Sequence, residues 1–453
     1  MFEGRWIAPL RRNIIDPLAC LRNGSPLRSY WQQLERTQFL PQATLRKMQW
    51  ERLTQLLRYA ASHNRFYRER FAAAGVEVEK IASVRDFQMI PALSKEEVRQ
   101  NTAEMISDGV DRAKLMYMKT GGSTGRALDI FITERCSEQR NACARRHDRW
   151  SGWEVGEPVA AVWGNPHLPT GWKERLRNTL LAPVIYLDTM SLGPESVSRF
   201  VTEWRRVQPT LLFGHAHSIY MLCRHLKEMR VSGVRPRGVI STSMMLLPHE
   251  RRFIEEVLSV KVTDRYGCEE VSLIASECEE HHGMHLNIEH LFVEFITETG
   301  DNAGDGVPGR IVVTDLLNME MPFIRYEVGD VGVPSSDACP CGRGLPLMAS
   351  VAGRTADFLR KKNGESVAGI SLIENTLTRY PGVDQMQIIQ ETLDHLTVKM
   401  VQGAGFDPAV LQDLTAYFRS VFGTDCNVSY EMEKAIPPEP SGKYRFSICR
   451  VPL

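Results

Sequence analysis

No stretch of this 453-residue chain approaches the ~20 consecutive apolar residues that a membrane-spanning helix requires. Its first twenty residues, MFEGRWIAPLRRNIIDPLAC, lack the unbroken apolar core and small-residue cleavage site of a secretory signal, because arginines and prolines interrupt them too early. Charge of one sign is lacking too. The 55 Lys and Arg cancel the 55 Asp and Glu, so no global field draws the chain to nucleic acid or to an anionic membrane, and neither is expected as a partner. Local basic surfaces stay compatible with that balance. A dense cysteine framework is also absent: ten cysteines are scattered through the chain, as reduced thiols in a cytoplasmic protein would be. No internal repeat or low-complexity tract points to a solenoid or a linker array.

What is present is an ordinary globular composition, with 43% hydrophobic residues, in a chain long enough for two or three compact units. Residues 42–75 carry helical periodicity, with Trp50, Leu53, Leu57 and Ala61 on one face and a glycine stop. The middle alternates strand-like runs (PVAAVWG, PVIYLDT, PTLLFGH, GVISTS) with helical ones (SVSRFVTEWRRV, HERRFIEEVLSV). That order predicts α/β layers around a largely parallel sheet. Residues 286–334 show period-two apolarity broken by TGDNAGDGVPG and predict antiparallel hairpins. After about residue 355 a small α+β unit follows, and the polar GRTADFLRKKNGES reads as linker and hinge. The expected division is a large domain, 1–354, and a small one, 355–453.

Five short motifs carry chemistry. Thr120-Gly121-Gly122-Ser123-Thr124-Gly125-Arg126 can wrap polyphosphate, since backbone N–H groups approach closely where no Cβ intervenes. A plain flexible turn has the same composition, and no Gly-Lys-Ser/Thr closes a Walker loop. In Asp264-Arg265-Tyr266-Gly267-Cys268-Glu269-Glu270, an aromatic beside glycine can stack on a purine and a following carboxylate can hold Mg²⁺. In Pro322–Asp330, Asp330 is suited to accept both ribose hydroxyls. Strand-end turns account for both segments equally well in isolation. Gly353-Arg354 lies at the expected linker. Lys443, in PSGKYR, sits on a glycine-led loop and can neutralise developing negative charge, or simply face water.

Taken in order, the five motifs resemble the adenylate-forming superfamily of acyl-CoA ligases, adenylation domains and luciferases. The chain looks closest to the phenylacetate-CoA ligase and CapK-like branch. The run VVTDLLNMEMPFIRYEVGD and CGRGLPL followed by GR carry the resemblance most specifically, and it spans roughly residues 45–450. It implies a large multi-layer N-terminal domain with a small mobile C-terminal one. It further implies that residues 120–126 bind the β- and γ-phosphates of ATP, and that Tyr266 and Gly267 line the adenine and acyl pockets. Glu270 would ligate Mg²⁺, Asp330 would take the ribose with help from Arg354, and Lys443 would bridge the carboxylate and α-phosphate. Four positions depart from the pattern. Met244 stands where relatives often have an acid, Glu269 replaces a threonine, Ala127 a proline and Ala356 the hinge aspartate. The last leaves transfer to CoA less supported than adenylation.

Cys278, His285, Cys339 and Cys341 are four soft or borderline ligands split between two turns, which suits tetrahedral Zn²⁺; reduced cysteines beside an exposed histidine pair are the alternative. The resemblance favours structural zinc, with His281 and His282 as other fourth ligands. His215 and His217 follow a strand where relatives build the carboxylate pocket, and Trp163 and Trp172 are candidate walls. The expected partners are a small carboxylic acid, aromatic or hydrophobic, and CoA. A carrier-protein thiol, an amine or a sugar is the alternative acceptor, a silent scaffold the remoter reading, and a homodimer a compatible assembly.

Overall fold

The computed structural model describes residues 5–451, apart from 121–127, 165–170, 182, 298, 353–357, 381, 404 and 437–444. Residues 42–75 form two helices rather than one, Gln42–His63 and Arg65–Ala73. Asn64 makes the break. Its backbone is extended, its side-chain oxygen accepts from Tyr67 N (3.2 Å) and its amide donates to the Met105 carbonyl (2.8 Å). Leu53 and Leu57 are buried as their spacing predicts, with Trp50 and Ala61 packed against the same cluster.

A short antiparallel hairpin, β1 (Met116–Lys119) and β2 (Asp129–Ile132), precedes the main sheet. That sheet has eleven strands. β3 (Val159–Trp163), β4 (Val184–Asp188), β5 (Leu211–His215), β6 (Gly238–Thr242) and β7 (Val262–Cys268) pair in parallel, in the order β4-β3-β5-β6-β7. β8 (Ser272–Glu277), β9 (Met284–Leu286), β10 (Leu291–Ile296), β11 (Gly309–Asp315), β12 (Tyr326–Ser335) and β13 (Leu347–Ala352) continue it antiparallel, in the order β8-β9-β13-β12-β11-β10. The parallel and hairpin halves expected from the sequence are thus one mixed sheet, joined at β7.

Helices Pro194–Val207, Ala216–Glu228 and Pro248–Leu258 cross between parallel strands and bury Phe200, Trp204, Leu222 and Ile254 in the larger core. The layers meet tightly at Gly238, where an added Cβ would overlap the Ser151 carbonyl at the end of helix Glu134–Trp150. Gly238→Ala is therefore expected to destabilise the fold by about 3 kcal/mol, read as a lower urea midpoint at unchanged slope.

Beyond residue 357 the sheets are separate. β14 (Phe358–Arg360) and β15 (Ser366–Ala368) form a hairpin, so part of the segment read as a polar linker is ordered strand, with Gly364 (φ +85°) in its turn. β16 (Val383–Thr392), β17 (His395–Gln402), β18 (Asn427–Met432) and β19 (Ser447–Cys449) make a four-stranded sheet in the order β18-β17-β16-β19. Helices Gly369–Arg379 and Ala409–Phe422 accompany it. Glu365 reaches back from the hairpin turn to Ser191, with 2.7 Å between their oxygens.

Candidate active site

Strand order decides where a ligand can sit. β3 has β4 on one side and β5 on the other, so the connections leaving β3 and β5 run in opposite directions and leave a crevice at their carboxyl ends. A cavity of about 450 Å³ opens there. Trp163 and Phe213, stacked 5.3 Å apart, wall it from β3 and β5, and Thr242 and Arg265 contribute from β6 and β7. Thr120, Gly267, Glu270 and Asp330 line the same cavity, as does Phe446 from the C-terminal unit. Four positions singled out on three sequence motifs are thereby brought together.

Thr120 closes the end of the β1–β2 hairpin. Its N–H donates to the Leu128 carbonyl (3.0 Å), and its hydroxyl accepts from Leu128 N (2.8 Å). The two ends of the glycine-rich segment are therefore pinned to each other. Gly121, Gly122, Ser123, Thr124, Gly125, Arg126 and Ala127 themselves lie outside the described residues, as do Arg354, Ala356 and Lys443.

β7 slips register against β8 between Tyr266 and Gly267. An added Cβ on Gly267 would come within 2.6 Å of the Ser272 carbonyl oxygen, so only glycine fits this approach. The bulge sets the Tyr266 hydroxyl to donate to Asp330 (2.8 Å), linking the second motif to the third. Met244 lines a smaller cleft next to this pair.

Glu270 is buried in the turn between β7 and β8. Tyr326 donates its hydroxyl proton to Oε1 (2.7 Å), and the Lys95 ammonium stands 3.6 Å away. The turn is held from behind by Arg140, which donates to the Glu270 carbonyl (2.9 Å) and to Asp315 (2.7 Å). Burial, then repulsion from Glu270, raises the Glu269 carboxyl above its ordinary range; the same two causes push the Cys268 thiol far up, so it is no nucleophile. Sequence reasoning passed over Lys95, Arg140, Tyr326 and Phe446. Tyr326 stands inside a motif quoted above, whereas a mid-helix arginine and a distant lysine give no local signal.

His215 and His217 are not among the cavity-lining residues. His217 pairs with Glu250. His215 is wholly buried behind Trp163, ring centroids 3.9 Å apart, and neither ring nitrogen has a hydrogen-bond partner among the described residues. Burial pulls its pKa from 6.5 down to about 4. The folded state thus disfavours the imidazolium, and the stability this group supplies above about 6.5 is lost as pH falls toward 4. His215→Phe is expected to flatten the acid side of the Tm–pH curve over that window; an unchanged curve would refute it. Trp172, by contrast, is exposed and not a pocket wall.

A second cluster lies at the other end of β8. Cys278, His285, Cys339 and Cys341 place their ligand atoms within 4.8 Å of one another. The Cys278 and Cys339 sulfurs are 3.6 Å apart, and Cys341 Sγ is 3.3 Å from His285 Nε2. Sulfurs bound to one tetrahedral Zn²⁺ at ~2.3 Å would be ~3.8 Å apart, so the donor set fits that ion. His285 Nδ1 donates to the Leu345 carbonyl (3.1 Å), which leaves the Nε2 lone pair facing the sulfurs. His281 pairs with Glu277 instead. No cysteine is in a disulfide.

The chain is similar to several known proteins. The CapK C-terminal domain family matches residues 359–450. Protein CapK of Staphylococcus aureus is 22% identical over 416 residues, 89% of either chain. A phenylacetate-coenzyme A ligase of Thermus thermophilus is 26% identical over 331 residues, 71% of this chain and 72% of that one. Among solved structures, 2-hydroxyisobutyryl-CoA ligase with 2-HIB-AMP and CoA in its thioester-forming state superposes with a TM-score of 0.62 at 21% identity, over 92% of both chains. The fold is that of the adenylate-forming ligases. In sequence, the chain is similar to CapK and to phenylacetate-CoA ligases.

Proposed function

We propose that this protein joins a carboxylic acid to AMP at the expense of MgATP and then passes the acyl group to the thiol of CoA. The observation that carries the reading is the convergence of Thr120, Gly267, Glu270 and Asp330 on one cavity at the sheet's switch point, with Tyr266 bonded to Asp330 beside it. Phosphate-loop residues 120–126 would hold the β- and γ-phosphates, Asp330 and Arg354 the ribose, and Glu270 the Mg²⁺. A carboxylate oxygen then bonds to the α-phosphorus as pyrophosphate leaves, with Lys443 offsetting the spreading charge. In the second step the thiol sulfur bonds to the acyl carbon, AMP departs, and the thiol proton goes to solvent.

The acid is aromatic or otherwise hydrophobic in this reading, in keeping with the Trp163 and Phe213 walls and with the ligases for phenylacetate among the relatives. Residues 1–354 form the adenylating domain and 355–453 a lid that rotates between steps. Zn²⁺ at the Cys278, His285, Cys339 and Cys341 cluster braces the hairpins next to the nucleotide site and takes no part in chemistry. Among the described residues no helix is long and apolar enough to cross a membrane, and the cytoplasm is the compartment we assign.

The likeness to CapK, with Ala356 at the hinge, favours one second reading, in which a carrier-protein thiol, an amine or a sugar takes the acyl group. Both are tested by pyrophosphate release with a panel of aryl, hydroxyaryl, fatty and amino acids, with and without CoA. A thioester formed with one acid is the expected result. Release without thioester selects the second reading, and no release with any acid overturns both.

A further inference from the structure

The run 5–22 is helical throughout, with a π turn at Arg11–Ile15 in which Asp16 N–H bonds to the Arg11 carbonyl, just before Pro17. Its buried face sets a cation beside Ile7 and Ala8. Arg11 is fully buried and donates to the carbonyls of Gly156 (2.9 Å) and Thr179 (3.0 Å). Meanwhile Trp6, Leu10, Ile14, Leu18 and Leu21 recur at helical spacing and are 65, 45, 51, 58 and 79% exposed. The Thr179 contact holds helix Trp172–Leu181 alongside, and it adds exposed Trp172 and Leu176 one turn apart. Solitary exposed leucines are ordinary; a stripe of five along one helix marks a docking surface.

The charge around the stripe says what docks. In a chain whose basic and acidic residues balance, these two helices carry seven Arg and Lys against two acids; of the seven, Arg11 is buried and Arg5 and Arg12 pair with Glu157 and Glu154. Of the acids, Asp16 is turned back onto Arg145 (2.6 Å) and Arg28 (3.8 Å). Arg22, Lys173 and Arg177 are exposed. Apolar residues on one face, cations at the margin and an indole on each helix are the composition of a helix lying in a lipid headgroup layer. A second copy docking through the same face would set these cations against their own copies.

We infer that the face formed by helices 5–22 and Trp172–Leu181 seats the protein on the surface of an anionic phospholipid bilayer, with the 5–22 helix lying flat and buried only to headgroup depth. Helix Trp172–Leu181 follows the chain leaving β3, whose last residue, Trp163, walls the candidate active site.

Flotation of the full-length protein with phosphatidylcholine vesicles, with and without phosphatidylglycerol, tests the assignment. Wild type should float only with the anionic vesicles, and salt should release it. Ile14→Glu/Leu18→Glu and, separately, Lys173→Gln/Arg177→Gln should each weaken binding roughly tenfold or more. The altered side chains are exposed, so circular dichroism should be unchanged. No flotation, equal flotation with neutral vesicles, or binding unchanged in both variants would overturn the inference. So would a wild-type dimer in solution that Ile14→Glu/Leu18→Glu converts to monomer, since the face would then be a contact between copies.

Discussion

Glu270→Gln is expected to slow acid-dependent pyrophosphate release by about a hundredfold to a thousandfold while leaving the Tm within a few degrees of wild type. Glutamine preserves the shape of the side chain and can still accept the Tyr326 hydroxyl proton. What it removes is the negative charge, the property a hard divalent cation needs in a ligand. The turn is held independently by Arg140 through the Glu270 carbonyl and Asp315, so the backbone has no reason to move. The defect should ease as Mg²⁺ is raised, which a purely structural role would not produce. Wild-type turnover at ordinary Mg²⁺ would remove Glu270 from the proposed site.

The second large effect concerns stability. Cys339→Ser is expected to take the protein from one tightly held Zn²⁺ per chain to nearly none, and to lower its Tm by on the order of 10 °C. The cluster ties the turn after β8 and the strand β9 to the β12–β13 connection. Metal binding to the folded state alone adds its free energy to folding, and a thiolate-to-hydroxyl change sacrifices a ligand bond with almost no change in volume. A strong chelator should reproduce the drop in wild type and have no further effect on the variant. Metal-free wild type with an unchanged Tm would show the four residues to be ordinary reduced thiols.

Much of this was readable along the chain, for definite physical reasons. Parallel strands such as β5 and β6 announce themselves as short apolar runs because both faces are buried, whereas among the hairpins β12 alternates in burial and β10 and β11 are buried almost throughout. Each chemical motif was locally ambiguous, and its order along the chain is what pointed to a site. Other features depend on contacts no periodicity records. Arg140 and Lys95 reach the Glu270 turn from separate helices. The break at Asn64 depends on its contact with residue 105, and the β14–β15 hairpin hides in a stretch whose charge reads as linker. The 5–22 helix was passed over as a failed leader sequence. Its pattern is amphipathic, but the face a reader assigns to the core is the one the fold turns outward, because Arg11 finds two carbonyls inside.

The change of strand direction at β7 also orders assembly in time. On the antiparallel side, partners such as Ile296 and Arg310, or Val313 and Tyr326, are separated by short loops whose closure is entropically cheap. On the parallel side, Ala160 must find Leu212 across three intervening elements, and Leu212 must find Val239 across a helix. Contacts so distant in sequence form late. A refolding chain would thus own a competent hairpin array well before it owned a crevice, and recovery of catalysis after dilution from denaturant should trail recovery of secondary structure.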